Sequence, residues 1–505
     1  MSLFIGLDLG TSRAKALVCD ERGKVLATRS ATSYSTSSPR PRYAEQEPHQ
    51  WWETVLGLLS EVIQENPVDR SEIEAIGLTG QMHGPVFLNK EGDPLGPCMI
   101  WSDTRAEEET DLIQEKIPGV TEITGNPPAP GYSAPKLLWF RKHARDLYDR
   151  IWKILLPKDF INYRLTGQVV TDPSDASGTL LYDLRRKSWS DQILNKLEVS
   201  KTILPPVLNS TRISGGLRSE ISSRLGLPRG LSVVVGGGDL ATGLIGNGGV
   251  RKGVAAVTIG TAGQVLVPDT ELREDLLGQL FAFQQAGQEG LFSLGTVPAG
   301  GYSLEWFKDS VSRVENCLAG DVDPYSLLTD QAREVPIGAR GLIFLPYLMG
   351  SGTPHINYQA RGSFVGLTSD HGKGEMIRAI MEGVTLGLRE SLETTERAGG
   401  EISEIRLGAG ATRSSIWNEI QADVYGQPVH LVRVSDPSPL GAALLAGVAT
   451  GSFSDLEQAT EQSVEISSRI EPNPAASRRY EEIFGAFQDL YSSLEKFFPQ
   501  LQAWE

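Results

Sequence analysis

The chain is short of cysteine: Cys19, Cys98 and Cys317 lie far apart among 505 residues and form no CxxC pair. A disulfide framework and a thiolate zinc site are excluded, and a reducing, cytoplasmic setting fits best. Histidine is equally sparse, and His49, His83, His143, His355, His371 and His430 show no metal-ligand spacing. No run approaches the ~18 apolar residues of a membrane helix. The start, MSLFIGLDLG, has no basic segment and carries an acid at Asp8, so neither a membrane span nor a targeting sequence is expected. Positive charge is also in deficit, with 47 Lys and Arg against 63 Asp and Glu and a net charge of -16. A protein tracking nucleic-acid phosphates needs clustered basic residues, so that partner class is excluded. No GxxxxGK[ST] loop occurs, which removes the P-loop nucleotide sites.

Glycine is in excess, with 54 residues where a chain of this length usually has ~7%, and it clusters in a few short segments. The first cluster punctuates apolar runs: Leu3–Leu7, then Gly10-Thr11-Ser12, then Lys15–Val18, with a further turn at Glu21–Lys24 before Val25–Arg29. Strand, tight turn, strand is the unit. Residues 48–64 carry apolar side chains at helical spacing (Trp51, Trp52, Val55, Leu56, Leu59, Val62, Ile63), and Ile73–Leu78 predicts a strand ending at Gly80. Ser133-Ala134-Pro135 opens a helix as a hydroxyl cap followed by Pro should. Alternation of this kind is α/β organisation. Near residue 250 the opening unit returns as Gly253–Ile259, Gly260-Thr261-Ala262-Gly263 and Gln264–Val267. Two similar α/β domains follow, 1–248 and 249–505. The small-residue run Leu440–Ala449 reads as a buried helix.

Several of these segments can carry chemistry. A Gly-Thr turn between strands points successive N–H groups into one concavity and adds a hydroxyl, which suits phosphate oxygens. Each turn alone reads first as an ordinary hairpin; the repetition reverses that in favour of phosphate. Asp8, two residues before the first turn, is placed to hold a magnesium ion against phosphates. Val233–Val235 leads into Gly236-Gly237-Gly238-Asp239, where Asp239 is either a helix cap or a general base for a hydroxyl nucleophile. Ile405–Leu407 leads into Gly408-Ala409-Gly410-Ala411 and an apparent helix through Ile416, Trp417, Ile420 and Val424, a geometry that brings backbone close to a nucleotide. Arg413 occupies the third glycine position of a dinucleotide fingerprint and argues against that alternative. Gln81-Met82-His83-Gly84 and Trp101-Ser102-Asp103-Thr104-Arg105 both follow strands. Amide, imidazole and carboxylate groups beside an indole suit a polyhydroxylated ligand at strand ends.

These segments resemble the FGGY carbohydrate kinases from Ile5 to about Gly447. Gly131 through His143 fits one extended family pattern, and Gly362 through Leu367 with Glu375-Met376, Ala379, Ile380, Met381 and Glu382 fits the other. Gln81–Gly84, Leu156–Asp159 and Ser174–Gly178 look like its xylulokinase branch. The resemblance implies an actin-like ATPase fold of two ribonuclease-H-like domains around a central cleft. It implies ATP at Gly10, Thr11, Ser12, Lys15, Gly260, Thr261, Gly408, Ala409, Gly410 and Ala411, and Mg2+ at Asp8. It further implies a sugar at Met82 and His83 with Asp239 as base; Gln81, Trp101 and Asp103 join them on the strand-end reading above. The implied reaction is phosphorylation of the 5-hydroxyl of D-xylulose by ATP in a cytoplasmic enzyme whose partners are small molecules; a homodimer is left open.

Two segments depart from the branch. Leu345-Pro346-Tyr347-Leu348 is followed by Met349-Gly350-Ser351-Gly352-Thr353-Pro354-His355, small and neutral where the branch commonly reads Ser-Gly-Glu-Arg before Thr-Pro-His. Ser438-Pro439 precedes Leu440-Gly441-Ala442-Ala443 without the acid often found there. Both leave other ketopentoses or polyols in play, and a chaperone-like ATPase is the alternative from another class.

Overall fold

The computed structural model describes residues 2–65, 68–312, 323–434 and 436–502. The first half is built on a seven-stranded sheet. Strands β1 (Leu3–Leu9), β2 (Ala14–Asp20) and β3 (Val25–Ala31) form an antiparallel meander. Strand β4 (Ile73–Gly80) lies parallel to β1 on the other side. Beyond it come β5 (Ile213–Gly216) and β6 (Ser232–Val234), with β6 parallel to β4 and β5 antiparallel at the edge. Every residue of β1 is buried, as a central strand covered on both faces must be.

The second half repeats the scheme. Strands β7 (Gly253–Ile259), β8 (Gly263–Asp269), β9 (Phe281–Gln284) and β10 (Leu291–Val297) are antiparallel. β7 pairs in parallel with β11 (Ile402–Gly408), β11 in parallel with β12 (Val429–Val432), and β13 (Ile466–Ile470) closes the edge antiparallel. Meander, two parallel neighbours and an antiparallel edge occur in both halves, so the repeat seen as two Gly-Thr turns extends to whole sheets.

Eight helices position the site. α1 (Pro48–Val62) starts with Pro in its first turn and buries Trp51, Trp52, Val55, Leu56, Leu59 and Val62; it ends two residues before the predicted boundary. α2 (Ser133–His143), α3 (Pro157–Thr166), α4 (Pro173–Ser177) and α5 (Asp239–Gly246) belong to the first half. α6 (Lys373–Arg397), α7 (Ser415–Tyr425) and α8 (Pro437–Thr450) belong to the second.

The run read as a small-residue helix is α8, and it crosses over. Although it follows the second sheet in sequence, it packs on β1, β4 and α5. A Cβ on Gly6 or Gly77 would lie 1.8 Å from the carbonyl oxygens of Pro439 and Ala442. Backbone therefore meets backbone, which only glycine permits, and the Pro439 departure sits at this crossing. The first half is tied down in return, because Arg406 on β11 donates to the carbonyls of Asn247 and Gly248, just past α5. Cys19 and Cys98 are buried free thiols; Cys317 lies outside the described residues. Among the described residues no helix is long and apolar enough to cross a membrane.

Candidate active site

Strand register collects the first group of residues. Asp8 on β1 faces Thr79 on β4, which in turn faces Gly237, and Leu9 and Gly80 face each other one residue on. The carboxyl ends of three parallel segments thus present Asp8, Gln81 and Gly238-Asp239 at one edge, where open α/β sheets bind ligands. Asp239 is the first residue of α5 and Gly238 its cap, so the cap reading fails by one residue. Its carboxylate accepts one hydrogen bond, from the N–H of Leu240 at 2.9 Å.

Electrostatics mark the two acids. Burial pushes the Asp239 carboxyl up to about 7, with the charge of Asp8 adding to the rise and the Leu240 N–H opposing it. Burial also pushes Asp8 up to about 6, with Lys15 pulling down and Asp436 pushing up. Lys15 is ion-paired with Asp436, just before α8. Asp8 Oδ1 is buried without a hydrogen-bond partner. Two neighbouring carboxyls, one with an orphaned buried oxygen, suit a divalent cation completed by phosphate oxygens and water, the usual arrangement for Mg2+.

The first hairpin turn is held from beneath. Gln46 Nε2 donates to the Thr11 carbonyl at 2.8 Å, while its Oε1 accepts from Trp51 Nε1 at 3.0 Å and from Gln81 Nε2 at 2.9 Å. Thr11 Oγ1 donates to Gln81 Oε1 at 3.3 Å and accepts from Trp101 Nε1 at 2.8 Å. Two expectations change as a result. Gln81, expected at the sugar, is buried with its amide committed to Gln46 and Thr11, so it supports the hairpin. Asp103, expected beside it, is 0 % exposed; its oxygens accept from the Ala44 N–H at 2.7 Å and from the Arg105 guanidinium. The positions at strand ends were readable, but side-chain direction was not. Trp101 remains 49 % exposed, its indole N–H held by Thr11.

Met82 lies against the Asp239 segment, and His83 lies beside it against Gly178. A Cβ on Gly238 would come within 2.9 Å of the Met82 side chain, and one on Gly178 within 2.9 Å of both Met82 and the His83 ring. His83 Nδ1 bonds the Gly178 carbonyl at 2.6 Å; a carbonyl only accepts, so Nδ1 carries the proton and Nε2 is an acceptor in the neutral ring. Burial pulls the imidazole down to about 4, which keeps it neutral at pH 7. His83 has φ 70, a conformation costly for a residue with Cβ and one that clusters at functional sites.

Beneath this segment lies a buried cluster that brings together Leu156–Asp159 and Ser174–Gly178, the two segments that resemble the xylulokinase branch, with Asp172. Lys158 is fully buried and pairs with Asp159, Asp172 and Asp175, at 3.2 Å to Asp172 and 3.5 Å to Asp175. Gly238 N donates to Ser174 Oγ at 3.0 Å, and Ser174 Oγ donates to Asp172. Lys158 Nζ also donates to the Val235 carbonyl at 3.4 Å.

The second half supplies its own strand ends. Thr258 on β7 faces Gly408 on β11, so the turn at residues 260–262 and the Gly408–Ala411 segment emerge side by side. Thr258 stands where the first half has Asp8, two residues before the turn, so the repeat carries its acid once. Gly260 and Gly410 are exposed and have no heavy atom closer than 4.0 Å to an added Cβ. Thr261 is exposed, and its carbonyl accepts from Tyr302 N. Gly408 abuts Asn247 Oδ1. Asn247 follows the eight-residue α5, so one helix of roughly 12 Å separates Asp239 from the Gly408 segment. Ala409 has φ 66 and ψ -165, a region that is essentially glycine's. Ala409→Gly is expected to stabilise the protein by about 1 kcal/mol, read as a higher denaturant midpoint. The neutral Met349–His355 segment packs tightly: a Cβ on Gly352 would lie 2.1 Å from the Thr296 carbonyl, leaving no room there for a charged side chain.

The doubled sheet with its paired Gly-Thr hairpins defines an actin-like ATPase fold. Residues 3–246 match the model of the FGGY family of carbohydrate kinases, N-terminal domain, and residues 255–450 match that of its C-terminal domain. A xylulose kinase of Bacillus subtilis (strain 168) is 33% identical over 493 residues, covering 97% of each chain. A gluconokinase of the same organism is 29% identical, covering 100% of this chain and 98% of its own. A crystal structure from Brucella ovis, described as a xyloylose kinase, has a TM-score of 0.90 at 31% identity and covers 98% of this chain and 100% of its own. The chain belongs to the FGGY family of carbohydrate kinases. It is an enzyme that transfers phosphate from ATP to a sugar.

Proposed function

We propose that the acceptor is D-xylulose and that Asp239 is the base. The carrying observation is the placement of Asp239, a half-buried carboxyl titrating near neutrality, against the Met82–His83 segment at the strand ends. The sugar 5-hydroxyl gives its proton to the Asp239 carboxylate as its oxygen bonds to the γ-phosphorus, and the bond from that phosphorus to the ADP oxygen breaks. His83 Nε2 accepts from a second sugar hydroxyl, and the exposed indole of Trp101 lies along the sugar's C–H groups. The turns at Gly10–Ser12 and Gly260–Thr261, with Lys15, hold the phosphates, and Gly408–Ala411 lies at the nucleoside end. Asp8 would hold Mg2+, which supplies charge neutralisation on the phosphates.

A neutral sugar fits this site better than the sugar acid suggested by the gluconokinase relative. Three buried cations of the first half are each committed: Lys136 to backbone carbonyls, Arg105 to Asp103 and Glu45, and Lys158 to its three acids. A carboxylate placed there would meet no uncommitted positive charge from them. ADP release across D-xylulose, D-ribulose, L-xylulose, L-ribulose, D-fructose, glycerol, D-gluconate and pentitols is expected to give D-xylulose the highest kcat/KM. A higher value for any other acceptor would replace the substrate.

A further inference from the structure

Lys136 stands in the first turn of α2 with none of its side chain exposed. A buried ammonium carries three donors and is tolerated only when they are met. Its Nζ donates to the Ile100 carbonyl at 2.7 Å, to the Gly131 carbonyl, and at 3.5 Å to the His83 carbonyl. These acceptors sit on three separate segments. Ile100 immediately precedes Trp101, Gly131 precedes Tyr132, and His83 follows the end of β4. Burial pulls this ammonium down to about 7, so it is the N–H donors of one amino group, more than a fixed charge, that gather the indole, the phenol and the imidazole around the sugar side. Tyr132 completes the group, meeting His83 edge to face with ring centroids 4.7 Å apart.

The backbone of His83 shows why such a clamp is needed. At φ 70 its Cβ is crowded, and such a residue persists only where its surroundings over-determine it. Ser133 Oγ donates to the same His83 carbonyl at 3.0 Å, so two donors from one helical turn hold it. Without them the peptide is free to return to negative φ, and the ring leaves the Gly178 carbonyl that sets its tautomer.

We propose that Lys136, assisted by Ser133, is a positioning residue for the phosphoryl acceptor: it locks His83 in its left-handed conformation and fixes Trp101 and Tyr132 beside it. This rests on His83 being a sugar contact. A methionine at 136 fills the volume and supplies no donor. With D-xylulose as acceptor, Lys136→Met is expected to raise the sugar KM about tenfold or more while the KM for ATP stays within about twofold. Ser133→Ala moves the sugar KM the same way by a smaller factor. Because Lys136 acts through His83, the double variant Lys136→Met/His83→Ala is expected to have a sugar KM no worse than His83→Ala alone.

The outcomes separate. Loss of folded, active enzyme with both KM values unchanged marks a merely structural lysine and overturns the proposal, as do fully additive effects in the double variant. A raised sugar KM in His83→Ala with an unchanged one in Lys136→Met also strikes the proposal alone. An unchanged sugar KM in His83→Ala strikes the sugar-site reading, and the proposal falls with it. Should Lys136→Met not fold, Ser133→Ala and its double with His83→Ala carry the same test.

Discussion

Asp239→Ala is expected to lower kcat by about 10²–10⁴-fold, with the KM for ATP nearly unchanged, measured by ADP release on protein whose folding has been checked by circular dichroism. The carboxylate is proposed to take the proton of the attacking hydroxyl, an interaction made only in the transition state, so its loss falls on kcat. A folded Asp239→Ala enzyme with near-normal turnover would remove the base assignment and leave the family membership intact.

The same carboxyl has a stability consequence with a definite sign. In protein free of nucleotide and divalent cations, Asp239 titrates near 7, against ~3.9 in an unfolded chain. Between those values the folded state binds more protons than the unfolded state, so this group makes stability fall as pH rises from about 4 to about 7. Asp239→Asn removes that loss. Its melting temperature is expected to exceed that of the parent by a margin that grows across this window and levels off above it. Asp8, raised to about 6, adds a loss of the same sign over a narrower window. Two acids held above their ordinary range are a cost in the empty enzyme that bound cation and substrate offset.

Much of this was readable from residue order. The Gly-Thr hairpins, the strand ends before Gln81 and Asp239, and the two-domain α/β scheme follow from turn residues and apolar periodicity, which are local. What escaped depends on contacts distant in sequence. The crossing of α8 to the first sheet is set by Gly6 and Gly77 meeting Pro439 and Ala442, more than 350 residues away by numbering. Gln81 and Asp103 sit where strand ends placed them, yet their side chains turn inward because Gln46 and the Ala44 N–H wait there. The glycine excess divides in the same way. Gly260 and Gly410 are open, whereas Gly236–Gly238 make room for Leu78, Ala286 and Met82. Lys136 and Lys158 lie in segments that carry the family resemblance, but their burial is not legible there: charged residues in a helix's first turn ordinarily lie in solvent, and only the folded chain buries these two.

Lys158→Met is expected to destabilise the protein by about 3–5 kcal/mol at neutral pH, because it leaves buried carboxylates without their counter-charge. Burial by itself pulls the Lys158 ammonium down, but Asp159, Asp172 and Asp175 together outweigh it and push it well up. Asp175 is driven far above the usual carboxylate range, first by its own burial, and neither of its oxygens has a hydrogen-bond partner. In Lys158→Met all three acids lose the cation they share. The folded-state titrations of Asp159 and Asp175, already raised, move further up, so the deficit is smallest near pH 4 and deepens toward neutrality. Denaturant titrations of parent and variant at pH 5 and pH 8 check this, with the larger difference expected at pH 8. The effect should also reach the chemistry. Lys158 donates to the Val235 carbonyl, and Asp172 holds the Ser174 hydroxyl that receives Gly238 N, so the cluster is the foundation on which the Asp239 segment rests. Variant protein kept folded at low temperature is therefore expected to lose kcat as well, in the same direction as Asp239→Ala and to a smaller degree.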